Sequence, residues 1–567
     1  MRNFTIVLAL FAWGAMAPQA GAQQPAATLD QAIDHIVAQE QAEMQMLRDY
    51  SPLVETYIQH LQPGKDGGLA PNGDTYFLGR AQLQNGVSLV PFTDDEKGTV
   101  KKSMSKIFGG VNFPPQGFLQ MIHIDLNGFD RQHYNFDFVR REFLGDIRCL
   151  VFDVTPQPKA GKNRFLGRIW VEDESFHVVR FNGGSGQTFH FDSWRVNAGK
   201  DQWLPAVIYT EANDTGKDVS RRLVYKGQTR LWGYNLGRTR QAEELSKVLV
   251  EADAPVNDQA QSGKDVSPTE AQQEWNSQAE VNVLDRMERV GLLAPRGEVD
   301  KVLETVINNL EVTNDLDIEP AIRSRVLMTS TLEAFTVGHT IVMSRGLIDV
   351  LPDEASLAAM LARELSHIVL GHRIDTQYGF FDQLLFNDKD TFRHWGFART
   401  PEEEKAAMDK AVQLLGKSPY KNQLATAQKF LVALETRSKE IPNLISPRLG
   451  DEVPASWSVA AQAAAEPAGS NAADVVVALP IGGRIKLDPW NNELFLLKTK
   501  PVRAVTERDR MPFEVTPFML YLTRQETPAA KPNANPAPKP SAVSNRSRTP
   551  PRAQPKAASR EKVARPQ

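Results

Sequence analysis

One run of residues near the middle of the chain has side chains and spacings suited to metal chemistry. The run extends from Leu361 to His372 and contains Arg363, Glu364 and His367. Two histidines four residues apart lie on one face of a helix, where they can bind one zinc ion. A glutamate beside the first histidine can then polarise zinc-bound water. Glu364 and His367 fit this pattern, but Arg363 stands where the first histidine would be. The run therefore predicts a hydrolytic zinc site that lacks one of its ligands.

A single helix must position these residues. Asp353 can cap it, and Gly371 is typical of a helix end. Most of the side chains between them are apolar, so the helix is predicted to be a buried core element. The charges of Arg363 and Glu364 are costly in such a place unless they are paired. We expect Arg363 to pair with Glu364 or with an acid of the stretch from Glu402 to Asp409.

Two further segments occur in a recognisable order around this helix. Upstream, Glu333 to Ile348 is predicted to be a turn, a short strand and another turn, and downstream Pro401 to Leu415 forms an acidic helix before Tyr420. Residues 281–445 resemble peptidase family M48, the zinc metallopeptidases of the CAAX prenyl protease and outer-membrane-assembly protease type. The resemblance implies a zincin-like α+β metallopeptidase domain.

The resemblance assigns roles to the residues of the site. It places the catalytic glutamate at Glu364, the second histidine ligand at His367, and the first at Arg363. The third ligand, a glutamate on the downstream helix, falls at Ala406, or at Ala407 if the alignment slides by one residue. Neither alanine binds a metal. We therefore expect no cofactor, and zinc only if a variant site is functional. We also expect that Arg363→His alone does not restore zinc binding.

Several other side chains are candidate substitutes for the lost ligands. His372 lies five residues beyond His367, about 140° around a helix, and is predicted to face away. His339 can approach, but its counterpart in the family is not a ligand. Glu402 to Glu404 begin the downstream helix, and one of them can swing in.

The strand before the helix suggests how the domain binds other molecules. In the family, an extended peptide adds to the edge of this strand, and the matching residues here are Thr340, Ile341, Val342 and Met343. We expect extended peptides or envelope proteins as clients and no catalysis. The alternatives are an active zinc metalloendopeptidase with a variant site and a lipid or lipoprotein carrier.

The N-terminus predicts export. Residues 1–22 form a signal peptide, with Arg2, an apolar run and small residues up to Ala22. The hydrophobic content of 41% and charged content of 24% are those of a soluble globular protein, and no nucleic-acid partner is expected. The single Cys149 cannot form an internal disulfide. The protein is predicted to be periplasmic or secreted.

The sequence divides into several domains, making a multidomain α+β protein. Leu29 to Leu61 is predicted to be helical, with Pro52 either kinking the helix or dividing it in two, and antiparallel strands follow from Asp74 to Tyr234. This order resembles the half-barrel of periplasmic lipoprotein carriers, with loose matches at 143–146 and 167–171. The predicted boundaries are 23–238 for this antiparallel β-rich domain, 239–280 for a linker with some helix, 281–445 for the metallopeptidase-like domain and 446–474 for a second linker.

Two segments complete the chain. Residues 475–525 are predicted to be a small β-rich piece, and 526–567 a disordered Pro/Ala-rich tail. From Pro528 onward the tail has nine Lys or Arg and one acid, a net charge of +8. This charge favours an anionic lipid or polymer as an additional partner.

Overall fold

Ten antiparallel strands form one large sheet in the first half of the protein. The sheet order in the computed structural model is β3-β2-β1-β10-β9-β8-β7-β6-β5-β4, so β10 returns to pair with β1. The predicted antiparallel β-rich domain is confirmed. The strands are β1 (Leu53–Pro63), β2 (Leu69–Gln82), β3 (Ser88–Pro91), β4 (Tyr134–Leu144), β5 (Ile147–Pro156), β6 (Leu166–Glu172), β7 (Val178–Gly184), β8 (Phe189–Gly199), β9 (Gln202–Asn213) and β10 (Leu223–Trp232).

The structure describes most but not all of the chain. The predicted signal peptide and basic tail lie outside the described residues, as do large parts of both predicted linkers. The described ranges are 28–63, 69–92, 118–126, 128–161, 163–184, 189–199, 202–213, 223–236, 268–373, 396–445, 449–453, 457–459, 484–497 and 513–524. Within these ranges, no helix is both long and apolar enough to cross a membrane.

The first helix is shorter than the sequence predicted. Helix α1 spans Leu29–Leu47, and the residues from Leu53 belong to β1. Pro52 disfavours helix in the residue before it, and Leu53 to Ile58 is rich in β-branched and aromatic side chains that fit a pleated sheet. The prediction of helix from Pro52 to Leu61, kinked or divided, was therefore wrong. Helix α1 packs on the large sheet through Ile33 and Ile36.

The second half combines helices with a four-stranded sheet, which confirms the predicted α+β metallopeptidase-like fold. The sheet order is β11-β13-β12-β14. The elements are α2 (Pro268–Arg289), α3 (Glu298–Thr313), β11 (Arg323–Leu327), β12 (Glu333–Val337), β13 (Thr340–Ser344), α4 (Arg345–Val350), α5 (Glu354–Val369), α6 (Pro401–Lys417), α7 (Leu424–Arg437), α8 (Pro442–Ile445) and β14 (Asp451–Glu452). A one-turn 3₁₀ helix (Leu119–Ile122) and a hairpin of β15 (Ile485–Leu487) and β16 (Leu494–Leu496) complete the described elements.

Two described elements lie within the predicted linkers. Helix α2 begins at Pro268, within the predicted first linker, and β14 lies within the predicted second linker. β14 pairs with β12 through two residues, Glu452 with Glu333 and Asp451 with Ala334. Helix α2 contributes Ala279, Val283 and Met287 to the buried residues.

Buried polar contacts join the two halves. Arg345, which begins α4, donates from Nη2 to Glu55 of β1 at 3.0 Å, and Ser330 donates to the same carboxylate from its Oγ at 2.7 Å. Asp74 of β2 accepts hydrogen bonds of 2.8 Å from the backbone N–H groups of Asn443 and Leu444. One hydrophobic core cluster includes residues from both halves. The large sheet is therefore part of the support of the metallopeptidase-like domain.

A C-terminal strap, residues 513–524, crosses from β1 to the β4–β5 turn without regular secondary structure. The Gln59 side chain on β1 makes hydrogen bonds of 2.7 and 3.0 Å to the strap's main chain near its start. At the far end, Tyr521 donates to Asp146 at 2.6 Å, and the Asp146 N–H donates to the Leu522 carbonyl at 2.8 Å. The strap thus ties a central strand of the sheet to a turn at its edge.

Candidate functional site

Helix α5 holds the predicted site residues in the core. Asp353 caps it as predicted, because its Oδ1 accepts hydrogen bonds from the Ser356 N–H at 2.8 Å and the Ser356 hydroxyl at 2.6 Å. Every residue from Ala355 to His367 is buried, so the prediction of a core helix is confirmed. The helix ends at Val369.

Arg363 is buried and bonded to two carboxylates. Its side chain is 1% exposed, and Nη1 donates to Glu364 Oε1 at 3.1 Å. Nε and Nη2 donate to Glu404 Oε2 at 2.9 and 2.7 Å. Both partners are those that the sequence predicted, Glu364 and an acid of the 402–409 stretch. Charge-assisted bonds of this kind satisfy a guanidinium that would otherwise be costly to bury.

Glu404 also lies against His367. The distance from His367 Nε2 to Glu404 Oε1 is 3.2 Å, so one carboxylate faces Arg363 and His367 at the same time. Residue type alone does not distinguish Glu404 from Glu402 and Glu403. The helical phase of α6 does, because its buried row includes Ala407 and Ala411.

The assignment of the third ligand position to Ala406 is corrected by this geometry. On α6, Ala407, Ala411 and Leu414 form the buried row, and Glu404 lies three residues before Ala407 on the same face. Ala406 is exposed on the other side of the helix. The side chain that α6 presents to His367 is therefore the carboxylate of Glu404.

His372 is close to His367, contrary to the helical-wheel prediction. The two Nδ1 atoms are 3.0 Å apart, and the His372 N–H donates to the His367 carbonyl at 2.9 Å. The 140° separation holds only within a continuous helix, whereas Gly371 has φ +73° and turns the chain back over the last turn. His339 lies in the turn between β12 and β13 and makes none of these contacts.

The predicted peptide-binding strand is not an edge. Thr340, Ile341, Val342 and Met343 lie on β13, which pairs in parallel with β11 on one side and antiparallel with β12 on the other. A strand with two partners cannot add an extended peptide, because its main-chain groups are already bonded. The prediction failed because nothing local in the sequence shows that β11 pairs with β13. β12 is the outer of the two strands, and it pairs with β14 only at Glu333 and Ala334.

Burial and charge shift the pKa values of the two facing groups. Burial raises the pKa of Glu404, but the hydrogen bond with His367 and the charge of Arg363 outweigh it, so the pKa is lowered. Burial is the main cause of the lowered pKa of His367. The hydrogen bond and charge of Glu404 act to raise this pKa, and the charges of Arg363 and Arg399 lower it further. The site thus favours an ionised carboxylate, a neutral imidazole and a permanently charged guanidinium.

These side chains do not fit a catalytic zinc ion. Such a site needs three protein ligands and a water molecule. His367 and Glu404 supply two donors, and the Arg363 guanidinium, which cannot act as a ligand, is bonded to one of them. In the ranges that the structure covers, no three His, Cys, Asp or Glu side chains are placed to bind a metal together. Arg363 is the residue of this site that does not fit a zinc ion.

The shifted pKa values predict a loss of stability in acid. His367 and Glu404 have ordinary pKa values of 6.5 and 4.5, and both are lowered in the folded protein. The unfolded chain therefore binds more protons, and the free energy of unfolding falls as pH drops below about 6.5 for His367 and about 4.5 for Glu404. One proton contributes at most about 1.4 kcal/mol per pH unit.

In urea unfolding between about pH 7 and pH 5, His367→Gln should make the decline in the free energy of unfolding shallower. A His35→Gln control, at an exposed position of α1, should leave it unchanged, and equal slopes for wild type and His367→Gln would contradict the prediction.

Comparison with known proteins supports the family resemblance for one part of the chain. Residues 294–416 match the model of peptidase family M48. No curated protein matches the sequence. A solved structure from Vibrio parahaemolyticus, a domain named for outer membrane lipoprotein sorting, is similar over 35% of this chain and 88% of its own, with 12% identity and a TM-score of 0.19, too low to support an argument. Residues 294–416 of this chain are thus similar to peptidase family M48.

Proposed function

We propose that the M48 domain of this protein binds proteins without hydrolysing them. The observation that carries this proposal is the bonding of Arg363 to Glu404 at 2.9 and 2.7 Å. A fixed guanidinium supplies the positive charge next to Glu404 and His367 that a metal ion would supply in a hydrolytic site. Arg is suited to this role because its charge is permanent and its donors form a planar fork.

Glu364 has a different role in such a site. Its Oε1 accepts a hydrogen bond from Arg363 at 3.1 Å, and the residue is fully buried. A general base must reach the proton that it removes. A carboxylate held against a guanidinium in the core serves instead to neutralise charge. Glu364 is therefore a structural partner of Arg363 in this proposal.

We place the protein in the cell envelope, as a periplasmic or secreted protein. The support is the predicted signal peptide at 1–22. The clients are extended peptides or envelope proteins, and the basic C-terminal tail adds attraction to anionic lipid or polymer.

Metal content and peptidase activity of the full mature chain test the proposal. We expect purified protein to contain far less than one zinc per chain and to cleave no unfolded protein substrate, with or without added zinc. Glu364→Gln should leave this unchanged, as should the control Glu402→Gln at an exposed position. Stoichiometric zinc together with peptidase activity that Glu364→Gln abolishes would instead establish the alternative, an active enzyme with a variant site.

The large sheet supports a second candidate function, that of a lipid or lipoprotein carrier. Aromatic rings cluster on it outside the M48 domain, where Phe118 stacks with Phe189 and Tyr225 at centroid distances of 6.2 and 5.9 Å. Phe118 and Tyr225 are buried and Phe189 is half-buried, so Phe189 is the ring of this cluster that an acyl chain could contact. Lipid extracted from the purified full chain, and reduced when Phe189 is changed to Asp, would favour the carrier.

A further inference from the structure

The outer edge of β12 is the place where an extended client could add to the small sheet. β13 lies on its inner side, and β14 covers only Glu333 and Ala334. No described strand pairs with the outer side of Phe335, Thr336 and Val337. β12 packs against α5, the helix that holds Arg363 and His367.

The same chain already covers this edge. The Phe397 ring stacks on the Phe335 ring, with centroids 4.6 Å apart and planes 8° from parallel. The Phe397 N–H donates to the Leu449 carbonyl at 2.8 Å, which fixes the covering segment. Arg399 donates from Nη2 to the Thr336 hydroxyl at 2.5 Å and makes a long contact of 3.5 Å to the Thr336 carbonyl. We call Gly396–Thr400 the edge cover.

Helix α2 closes the end of the strand. Glu280 lies so near Gly338, in the β12–β13 turn, that a Cβ at Gly338 would be 2.0 Å from the Glu280 carboxylate. Thr336 and Val337 are each 1% exposed. An edge strand open to partners would expose its outer groups to solvent. The edge of β12 is therefore closed in this conformation.

We propose that the edge cover is an internal competitor for the client-binding edge of β12, and that Arg399 must leave Thr336 before an extended segment can pair there. The proposal rests on the proposed function and adds its regulation. A client strand bonds through its own main chain to the main chain of β12, and it needs the space that the Arg399 guanidinium and the Phe397 ring fill.

Acidic groups near Arg399 provide a place for its charge after release. The positive charge of Arg399 favours the ionised forms of Glu280, in α2, and of Glu403, in the first turn of α6. Arg363, Arg373, His367, His372 and Glu404 are further titrating or charged groups close to this end of the site. A guanidinium that leaves Thr336 therefore remains within a region of mixed charge, and release of the cover exposes no isolated buried charge.

Peptide binding by Arg399→Ala tests the proposal. The probe is a fluorescent Thr-Val repeat peptide, blocked at both ends, and the readout is fluorescence anisotropy with the full mature chain. Because Arg399→Ala removes a charge-assisted hydrogen bond that competes with the peptide, we expect the Kd to fall about tenfold. The control is Arg296→Ala, because Arg296 pairs with Glu304 on a partly exposed surface away from β12.

Two further variants keep the result interpretable. Thr336→Val removes the hydroxyl that Arg399 uses and should lower the Kd in the same direction, even if Arg399→Ala misfolds. Arg399→Lys keeps the charge but loses the fork, so we expect an intermediate Kd. Amide hydrogen exchange of 333–344 should become faster in Arg399→Ala without peptide and slower when peptide is added.

The possible outcomes separate this inference from the proposed function. Equal Kd values for wild type and Arg399→Ala would overturn the internal competitor and leave client binding intact. A higher Kd for Arg399→Ala would also overturn it, because Arg399 would then contact the client. Absence of peptide binding in every variant would overturn both the inference and the proposed function.

Discussion

Arg363→His is expected to bind about one zinc ion per chain where the wild type binds none. The substitution places histidines at 363 and 367, four residues apart on one face of α5, with Glu364 beside the first. Glu404 already lies 3.2 Å from His367. The variant therefore has three candidate ligands, as a zinc site with an open position requires. Zinc in the dialysed protein is measured by elemental analysis, and affinity by competition with a chromophoric chelator.

Two double variants identify the third ligand in this experiment. Arg363→His with Glu404→Ala should lose the gained zinc. Arg363→His with Ala406→Glu should bind no more tightly than the single variant, because Ala406 is exposed and faces away from His367. Zinc binding that requires Ala406→Glu would show that the sequence-based assignment is right and that Glu404 is not a ligand. The structure thus reverses the expectation that Arg363→His alone has no effect.

Glu404→Ala is expected to destabilise the protein strongly. It removes the acceptor of two hydrogen bonds from Arg363, whose side chain is 1% exposed, and leaves a buried charge with less compensation. Breaking a buried pair in this way costs about 3–5 kcal/mol. We expect about 3 kcal/mol, at the lower end of that range, because Glu404 is 18% exposed and Glu364 still accepts from Arg363. Urea unfolding measures the loss.

Matched variants show whether the charge is the cause. Glu402→Ala changes an exposed glutamate of the same helical turn and should cost less than about 0.5 kcal/mol. Arg363→Met with Glu364→Gln and Glu404→Leu removes all three charges of this buried group and should restore the free energy of unfolding to within about 1 kcal/mol of the wild type. If the triple variant is as unstable as Glu404→Ala alone, lost packing and not an uncompensated guanidinium explains the effect.

Local patterns predicted the central helix well. Asp353 as cap, the buried helix and the carboxylate partners of Arg363 all follow from a few neighbouring residues and from the cost of burying charge. Glu404 was not distinguished from Glu402 and Glu403, because only the helical phase of α6 separates them. The helix buries Ala407 and Ala411, and that row places Glu404 inward.

Strand pairing between distant segments was beyond prediction. β13 is an interior strand only because β11 joins it from farther back in the sequence, and β12 is covered by residues that follow helix α5. The position of His372 likewise depends on the positive φ of Gly371, one residue beyond the helical pattern. No periodicity in a single segment carries this information.

The contacts that join the two halves set the order in which the chain can finish folding. Glu55 and Arg345 are separated by 290 residues in the sequence, and Gln59 and Val515 by 456. Contacts between such distant residues form late and slow folding, because a long loop must close first. β1 cannot make all its native contacts until the strap has been synthesised. A chain that is emerging N-terminus first therefore holds an unfinished sheet with exposed apolar surface, and its dependence on chaperones should end only when residues 513–524 have appeared.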